Sequence, residues 1–323
     1  MPHKILKPAA INRKSREKRR ASLLRSALGC LSVLAAGAFT LADGLAAVEA
    51  PAASVEAVEI YRRAALSFQE ADFFKPVERD SEALSFKLAP LLLQEIHPGA
   101  GAGAAGAGCG TLLFTNGTLA LDTSRPVVYF APDTIVINGK PHLRFAYVWF
   151  YTVKPTQGQG GAPLVQGVRL TLNSAGEPVI WEVLAEPSGA EIFFVAHSLE
   201  AAAAAQFGKP LPGRRYASEA STNEAPAVVV ARVIEDGPVP MGPIVYLRAG
   251  THAVGTLICR CMPAQAKTLR STVAYDLLPF PTDAAQLNRL REGLRSKDTA
   301  AFWRGDQGEG VRLERCLRLP EEF

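Results

Sequence analysis

The sequence predicts an α+β fold: a mainly antiparallel sheet with N-terminal helices, a mid-chain helix and a C-terminal helix. Apolar residues recur at helical spacing near both ends of the chain, and they alternate at strand spacing between residues 111 and 194. Short turn sequences join the predicted strands, which is typical of antiparallel pairing. Helices before and after such a run of strands favour the α+β class.

Two helices are predicted before the first strand. The first covers residues 55–70, where apolar side chains recur every three or four positions between charged ones. The second covers residues 80–96, where leucines have helical spacing. Pro90 is expected to kink this helix and Pro98 to end it, because proline lacks the N–H that a helix interior needs.

The strands are predicted from short segments rich in β-branched and aromatic residues. Asn138-Gly139 is a strong hairpin signal between two of them. The predicted strands are 111–115, 127–130, 134–137, 142–153, 165–172, 178–184, 191–195, 228–234, 244–247, 255–261 and 272–275. An alanine-rich helix is predicted at 199–207, and Thr282 or Asp283 is expected to cap a last helix that ends near residue 294.

These elements group into four predicted segments. Residues 1–50 form a signal peptide, and residues 51–208 form a helical hairpin with an antiparallel β domain. Residues 209–226 combine prolines and a glycine with a polar run, so they are predicted to be a linker. Residues 227–323 form a smaller β region with the C-terminal helix.

Residues 1–50 have the layout of an export signal. Nine basic side chains lie within the first 25 residues, and the 17 residues that follow carry no charge. A cationic head before an apolar stretch is typical of a signal peptide, and this stretch is shorter than the roughly 20 apolar residues that span a bilayer. We therefore expect cleavage that leaves Ala47 or Val48 as the new N-terminus. The pair Arg19-Arg20 leaves two routes open, twin-arginine export and general secretion.

The net positive charge of the chain comes from this segment. Residues 1–50 hold nine of the 35 Lys and Arg residues and three of the 31 Asp and Glu residues, so the remainder has 26 basic and 28 acidic side chains, a net charge of −2. A nearly neutral protein without clustered Lys and Arg is a poor nucleic-acid binder. No second long apolar run follows, so we expect a soluble protein that meets the membrane only through its signal segment.

Glu182 and His197 are the candidate catalytic residues. Glu182 lies in a strand that is apolar on both faces, where loss of water is expected to raise the pKa of its carboxyl, as a general acid or base requires. His197 follows the next strand, and pairing of the two strands would bring both residues to one end of the sheet. The alternative is an exposed glutamate and a histidine hydrogen-bonded near a helix start. Neither residue belongs to a recognised catalytic motif.

Tyr147, Trp149 and Tyr151 share one face of the strand 142–153 and are the candidate ligand-binding residues. They either floor an apolar or sugar-binding groove or form ordinary sheet core, since aromatic residues are favoured in strands. The Gly/Ala tract at 99–110 contains the letters of a dinucleotide fingerprint. A helix is predicted before the tract and a strand after it, the reverse of what the fingerprint needs, so no cofactor is predicted.

Four cysteines follow the signal segment, and an even number in an oxidising compartment predicts two disulfides. A bond between Cys259 and Cys261 would close a very tight ring, so each is expected to pair with Cys109 or Cys316. Cys259 and Cys261 could instead bind Cu(I) or Zn. Export exposes thiols to oxidants, so disulfides are preferred and no metal is predicted.

The sequence therefore predicts a soluble binding or assembly protein of the periplasm or cell envelope, without catalysis, that acts on an unidentified small-molecule or protein partner. This prediction rests on the lack of a nucleophile motif, a dense polar cluster and a cofactor loop. The first alternative is an exported hydrolase that uses Glu182 and His197. The second is a metal-binding protein that uses Cys259 and Cys261.

Overall fold

The structure is a computed structural model. It describes residues 55–63, 66–78, 82–97, 109–115, 118–152, 163–221, 227–294 and 308–323. The predicted signal peptide lies outside the described residues, as do most of the Gly/Ala tract and the end of the predicted linker. Within the residues that the structure describes, no helix combines the length and the apolar composition needed to cross a bilayer.

The described residues form five helices and thirteen strands. The helices are α1 (Val55–Arg62), α2 (Leu84–Lys87), α3 (His197–Phe207), α4 (Ala284–Gly293) and α5 (Glu309–Cys316). The strands are β1 (Phe68–Pro76), β2 (Leu91–Glu95), β3 (Thr111–Thr115), β4 (Thr118–Asp122), β5 (Val127–Ile137), β6 (Lys140–Tyr151), β7 (Leu164–Leu172), β8 (Pro178–Leu184), β9 (Glu191–Ala196), β10 (Val228–Ile234), β11 (Pro243–Leu247), β12 (Val254–Cys259) and β13 (Ala266–Pro279).

Eleven of these strands form one large mixed sheet in the order β10-β9-β8-β7-β6-β5-β13-β1-β2-β11-β12, and β3 pairs with β4 separately. Four neighbouring pairs are parallel: β10 with β9, β5 with β13, β13 with β1, and β2 with β11. The prediction of a mainly antiparallel α+β fold with several helices is therefore wrong. Turn sequences reveal only the pairing of strands that follow each other in the chain, whereas the parallel pairs join distant segments.

The two predicted N-terminal helices are largely strands. The first helix ends at Arg62, and residues 68–76 form β1, which has β13 on one edge and β2 on the other. The second helix shrinks to α2, and the leucines that follow Pro90 lie in β2 between β1 and β11. β2 is buried on both faces, since the adjacent residues Leu92 and Leu93 are both buried, so its leucines need not alternate with polar residues and imitate helical spacing.

The sheet curls until its first and last strands approach each other. Arg232 on β10 donates hydrogen bonds to the carbonyl of Leu257 and, at 3.5 Å, to the hydroxyl of Thr256, both on β12. The C-terminal end of α1 lies over the same gap, where the Thr256 hydroxyl donates to the carbonyl of Arg63 at 3.0 Å. The gap between β10 and β12 is thus bridged by side chains rather than by a strand ladder.

The strands on both sides of residues 209–226 belong to this sheet. β10 pairs with β9, and β13 lies between β5 and β1. The described residues between 55 and 323 accordingly form one compact unit.

Two layers cover the outside of the sheet. The β3–β4 hairpin and α4 pack over an apolar cluster that includes Val127, Val148 and Phe150. α5 lies across β5 so closely that a Cβ on Gly310 would sit 1.8 Å from the carbonyl oxygen of Val136. Only glycine, which has no Cβ, allows this close approach. The approach places the polar first turn of α5 against the sheet.

Candidate functional site

Glu182 lies in a cluster of buried charges rather than beside a catalytic histidine. Its side chain accepts a hydrogen bond from Arg312, and Arg169 lies 3.8 Å away. Burial alone would raise the pKa of Glu182, but the positive charges of Arg312, Arg169 and Arg144 outweigh it and lower the pKa to about 2. The expectation of a raised pKa is therefore wrong, because no local sequence pattern indicates that three arginines converge on this carboxyl.

A buried ion cluster connects α5 with the five consecutive strands β5, β6, β7, β8 and β9. Its centre is Glu309, which accepts hydrogen bonds from Arg144 at 3.0 Å, Arg169 at 2.8 Å and Arg312 at 3.2 Å. The full set of side chains is Asp133, Arg144, Arg169, Glu182, Glu191, Glu309 and Arg312. Every carboxylate of the cluster contacts an arginine, so the arrangement fits a structural role in fixing α5 to the sheet.

His197 is the first residue of α3 and is exposed, whereas Glu182 is buried beneath α5. In the described part of the chain, no hydrogen bond joins the two side chains. The structure thus does not bring the candidate catalytic pair together.

The candidate ligand-binding ladder lies inside the curled sheet, where all three side chains are buried. The hydroxyl of Tyr147 donates to the carbonyl of Ser85 at 2.7 Å. Trp149 and Tyr151 line a cavity of about 10 Å³ that His252 and Cys109 also line. That volume is close to what one water molecule occupies. Burial lowers the pKa of His252 to about 4, so the cavity is uncharged at neutral pH.

The disulfide pairing differs from the expected one. Cys259 is bonded to Cys261, and Cys109 and Cys316 are buried thiols. Residues two apart on a straight strand are about 7 Å apart at Cα. Here β12 ends at Cys259 in a turn that the hydrogen bond from the Met262 amide to the Cys259 carbonyl closes, and the two Cα atoms are 5.2 Å apart. Because of this turn, Cys259 and Cys261 are close enough to form a disulfide, which their spacing in the sequence predicts to be too tight.

The two cysteines are thus occupied by their own bond, which leaves the predicted metal-binding alternative without thiolates to donate. Among the described side chains, no group of three His, Cys, Asp or Glu is placed to hold a metal ion.

An open cleft lies beside this disulfide, at the end of the gap between β10 and β12. Its cavity volume is about 20 Å³, compared with about 10 Å³ for the cavity beside Trp149 and Tyr151. Its walls combine apolar and sulfur-bearing side chains with one arginine: Trp181, Val239, Met241, Ile258, Cys259 and Arg260. Three carboxylates stand at its edge: Glu177, Glu235 and Asp236. We call this the disulfide cleft.

One wall of the disulfide cleft carries an exposed apolar side chain. Val239 is 58% exposed although it is apolar. Two residues that line the cleft also have buried donors without a hydrogen-bond partner among the described residues, the indole N–H of Trp181 and the Nε of Arg260. An exposed apolar side chain in the wall of a cleft is a feature of a binding surface.

The sequence interpretation missed this cleft. Residues 237–243 form the Pro- and Gly-rich segment that builds one wall, and such a segment between two strands is a loop signal. Trp181 stands next to Glu182 in a strand that the sequence identified, but Arg260, which also lines the cleft, comes from the turn after β12, almost 80 residues later.

No family model, curated protein or solved structure matches the chain.

Proposed function

We propose that this protein is a soluble binding or assembly protein of the periplasm or cell envelope that acts without catalysis. The layout of residues 1–50 supports export. The disulfide cleft is the single observation that carries the binding function, because it combines apolar walls and carboxylates in one concave place.

The partner that fits this cleft is an extended peptide segment with an apolar side chain flanked by basic ones. The apolar side chain would pack between Trp181, Met241 and Ile258. Lys or Arg of the segment would face Glu177 and Glu235, both of which are exposed.

The test measures binding of two labelled peptides to the full chain by fluorescence anisotropy. One alternates lysine with leucine, and the other alternates glutamate with leucine at the same length. We expect binding of the lysine peptide and a loss of about tenfold in affinity in Val239→Asp, which corresponds to about 1.4 kcal/mol. Glu235→Gln should weaken binding by about two- to fivefold, because the pair is solvated.

The matched control is Val311→Asp, since Val311 is 65% exposed and lies on α5, outside the cleft. Its affinity should equal that of the unmodified chain. Equal binding of both peptides, or equal losses in Val239→Asp and Val311→Asp, would show that the cleft does not bind such segments.

A further inference from the structure

The two cysteines of the disulfide differ in their access to solvent. Cys259 is 6% exposed and lines the disulfide cleft, whereas Cys261 is exposed in the turn after β12. A thiol of another molecule can therefore reach the sulfur of Cys261 from solvent. Exchange at that sulfur would expel Cys259 as the leaving thiolate.

The position of Cys259 suits it to be the leaving group. The backbone N–H of Cys261 donates a hydrogen bond to the Cys259 sulfur at 3.1 Å. A hydrogen-bond donor at the sulfur stabilises the thiolate that forms there.

The other two cysteines that the structure describes, Cys109 and Cys316, have unreactive thiols. Burial raises the pKa of Cys109 to about 12. Burial also raises the pKa of Cys316 to about 12, and the neighbouring Glu191 carboxylate adds to that effect. Neither thiol is reactive at neutral pH, so among the four cysteines that the structure describes, exchange is confined to Cys259 and Cys261.

The disulfide also does little to restrict the unfolded chain. It joins residues only two apart, and the loss of chain entropy in a cross-linked loop grows with loop length. A disulfide that contributes little to stability and has one of its two residues exposed has the character of a bond that exchanges readily.

We propose that the Cys259–Cys261 disulfide accepts two electrons from a dithiol of a partner protein. A partner thiolate attacks the sulfur of Cys261, a mixed disulfide forms, and Cys259 leaves as a thiolate. The second partner thiolate then attacks its neighbour's sulfur in the mixed disulfide and expels Cys261. The partner becomes a disulfide and gives up two protons, and Cys259 and Cys261 take them up to become a dithiol.

The exchange itself is independent of peptide binding, but the choice of partner rests on the proposed function, since an extended segment in the disulfide cleft would hold its thiols beside Cys261.

The first experiment uses reduced glutathione with the oxidised, full-length chain under anaerobic conditions. Samples are quenched with acid and mapped by mass spectrometry. We expect a glutathione adduct on Cys261, followed by loss of the protein disulfide in the folded chain. Cys261→Ser should lose this reaction, and Cys316→Ala, which changes a buried thiol, should keep it. A disulfide that glutathione reduces only after unfolding, or an adduct on Cys259, would overturn the proposal.

The second experiment adds one cysteine pair to the lysine–leucine and glutamate–leucine peptides. One equivalent of peptide disulfide should form per protein, with the lysine peptide about tenfold faster because of electrostatic attraction. If glutathione reacts at Cys261 and the two peptides react at equal rates, the exchange site stands and the proposed peptide binding fails. If the peptides bind but neither becomes oxidised, the exchange proposal fails and the binding proposal stands.

Discussion

Replacing Glu309 by glutamine tests how strongly the buried ion cluster holds α5 to the sheet. Glutamine keeps the size of the side chain and removes only its charge. Glu309 is 2% exposed, and three arginine side chains donate to the same oxygen atom. The substitution therefore leaves buried positive charge without its central counterion.

The expected loss of stability follows from the burial of those arginines. The side chains of Arg144, Arg169 and Arg312 are 1%, 5% and 8% exposed. Removing one partner from a buried ion pair costs about 3–5 kcal/mol, because the remaining charge cannot be solvated. A typical domain has only about 5–15 kcal/mol to lose. At about 2–4 °C per kcal/mol, the melting temperature should fall by about 10 °C.

Urea denaturation followed by tryptophan fluorescence measures this loss, with far-UV circular dichroism to follow thermal unfolding. The control is Glu292→Gln, the same substitution at an exposed position of α4. It should change the free energy of unfolding by less than about 0.5 kcal/mol. If the two variants have equal stability, the charges of the cluster do not hold α5 and the electrostatic argument is wrong.

Four further results are expected. Stability should fall as the pH drops from 4.5 to about 2, because the pKa of Glu182 is lowered to about 2 from its ordinary 4.5. The contribution of Glu182 to stability is complete above pH 4.5 and is lost as the pH passes through 2. Acid titration followed by circular dichroism measures this loss. Gly310→Ala should destabilise the fold by about 1–3 kcal/mol in urea, because the new Cβ meets the Val136 carbonyl, and an unchanged midpoint would contradict that contact. Reduction of the Cys259–Cys261 bond should cost less than about 2 kcal/mol, since the loop is so short, and a larger loss in denaturation would show a structural disulfide. Exported protein should begin at Ala47 or Val48 by N-terminal sequencing, and a chain that retains residues 1–46 would indicate an anchor instead.

Local features of the fold were predictable where the sequence determines them directly. Asn138 and Gly139 have φ angles of 48° and 75°, as the predicted hairpin turn requires, and β5 pairs with β6 across it. Asp283 caps α4 by accepting from the amide of Gln286 at 2.9 Å. Each of these features depends on residues within a few positions of one another.

Features that depend on distant residues were not predictable in this way. Glu182 and Arg312 are 130 positions apart, and no local pattern connects them. The same holds for Phe68, which the sequence places in a helix and which in fact lies opposite Ala266 on a parallel strand. The disulfide cleft also required the three-dimensional fold, because its walls come from β8, the loop before β11 and the end of β12.

The position of β13 has a consequence for how the chain acquires its fold. β13 lies between β5 and β1 in the sheet and so connects its two parts. Until residues 266–279 have been synthesised, β5 and β1 each present an unpaired edge that can pair with other chains. Contacts this distant in sequence also form slowly. The nascent protein therefore cannot join the two parts of its sheet until β13 has been made, and its need for protection from aggregation is greatest just before that point.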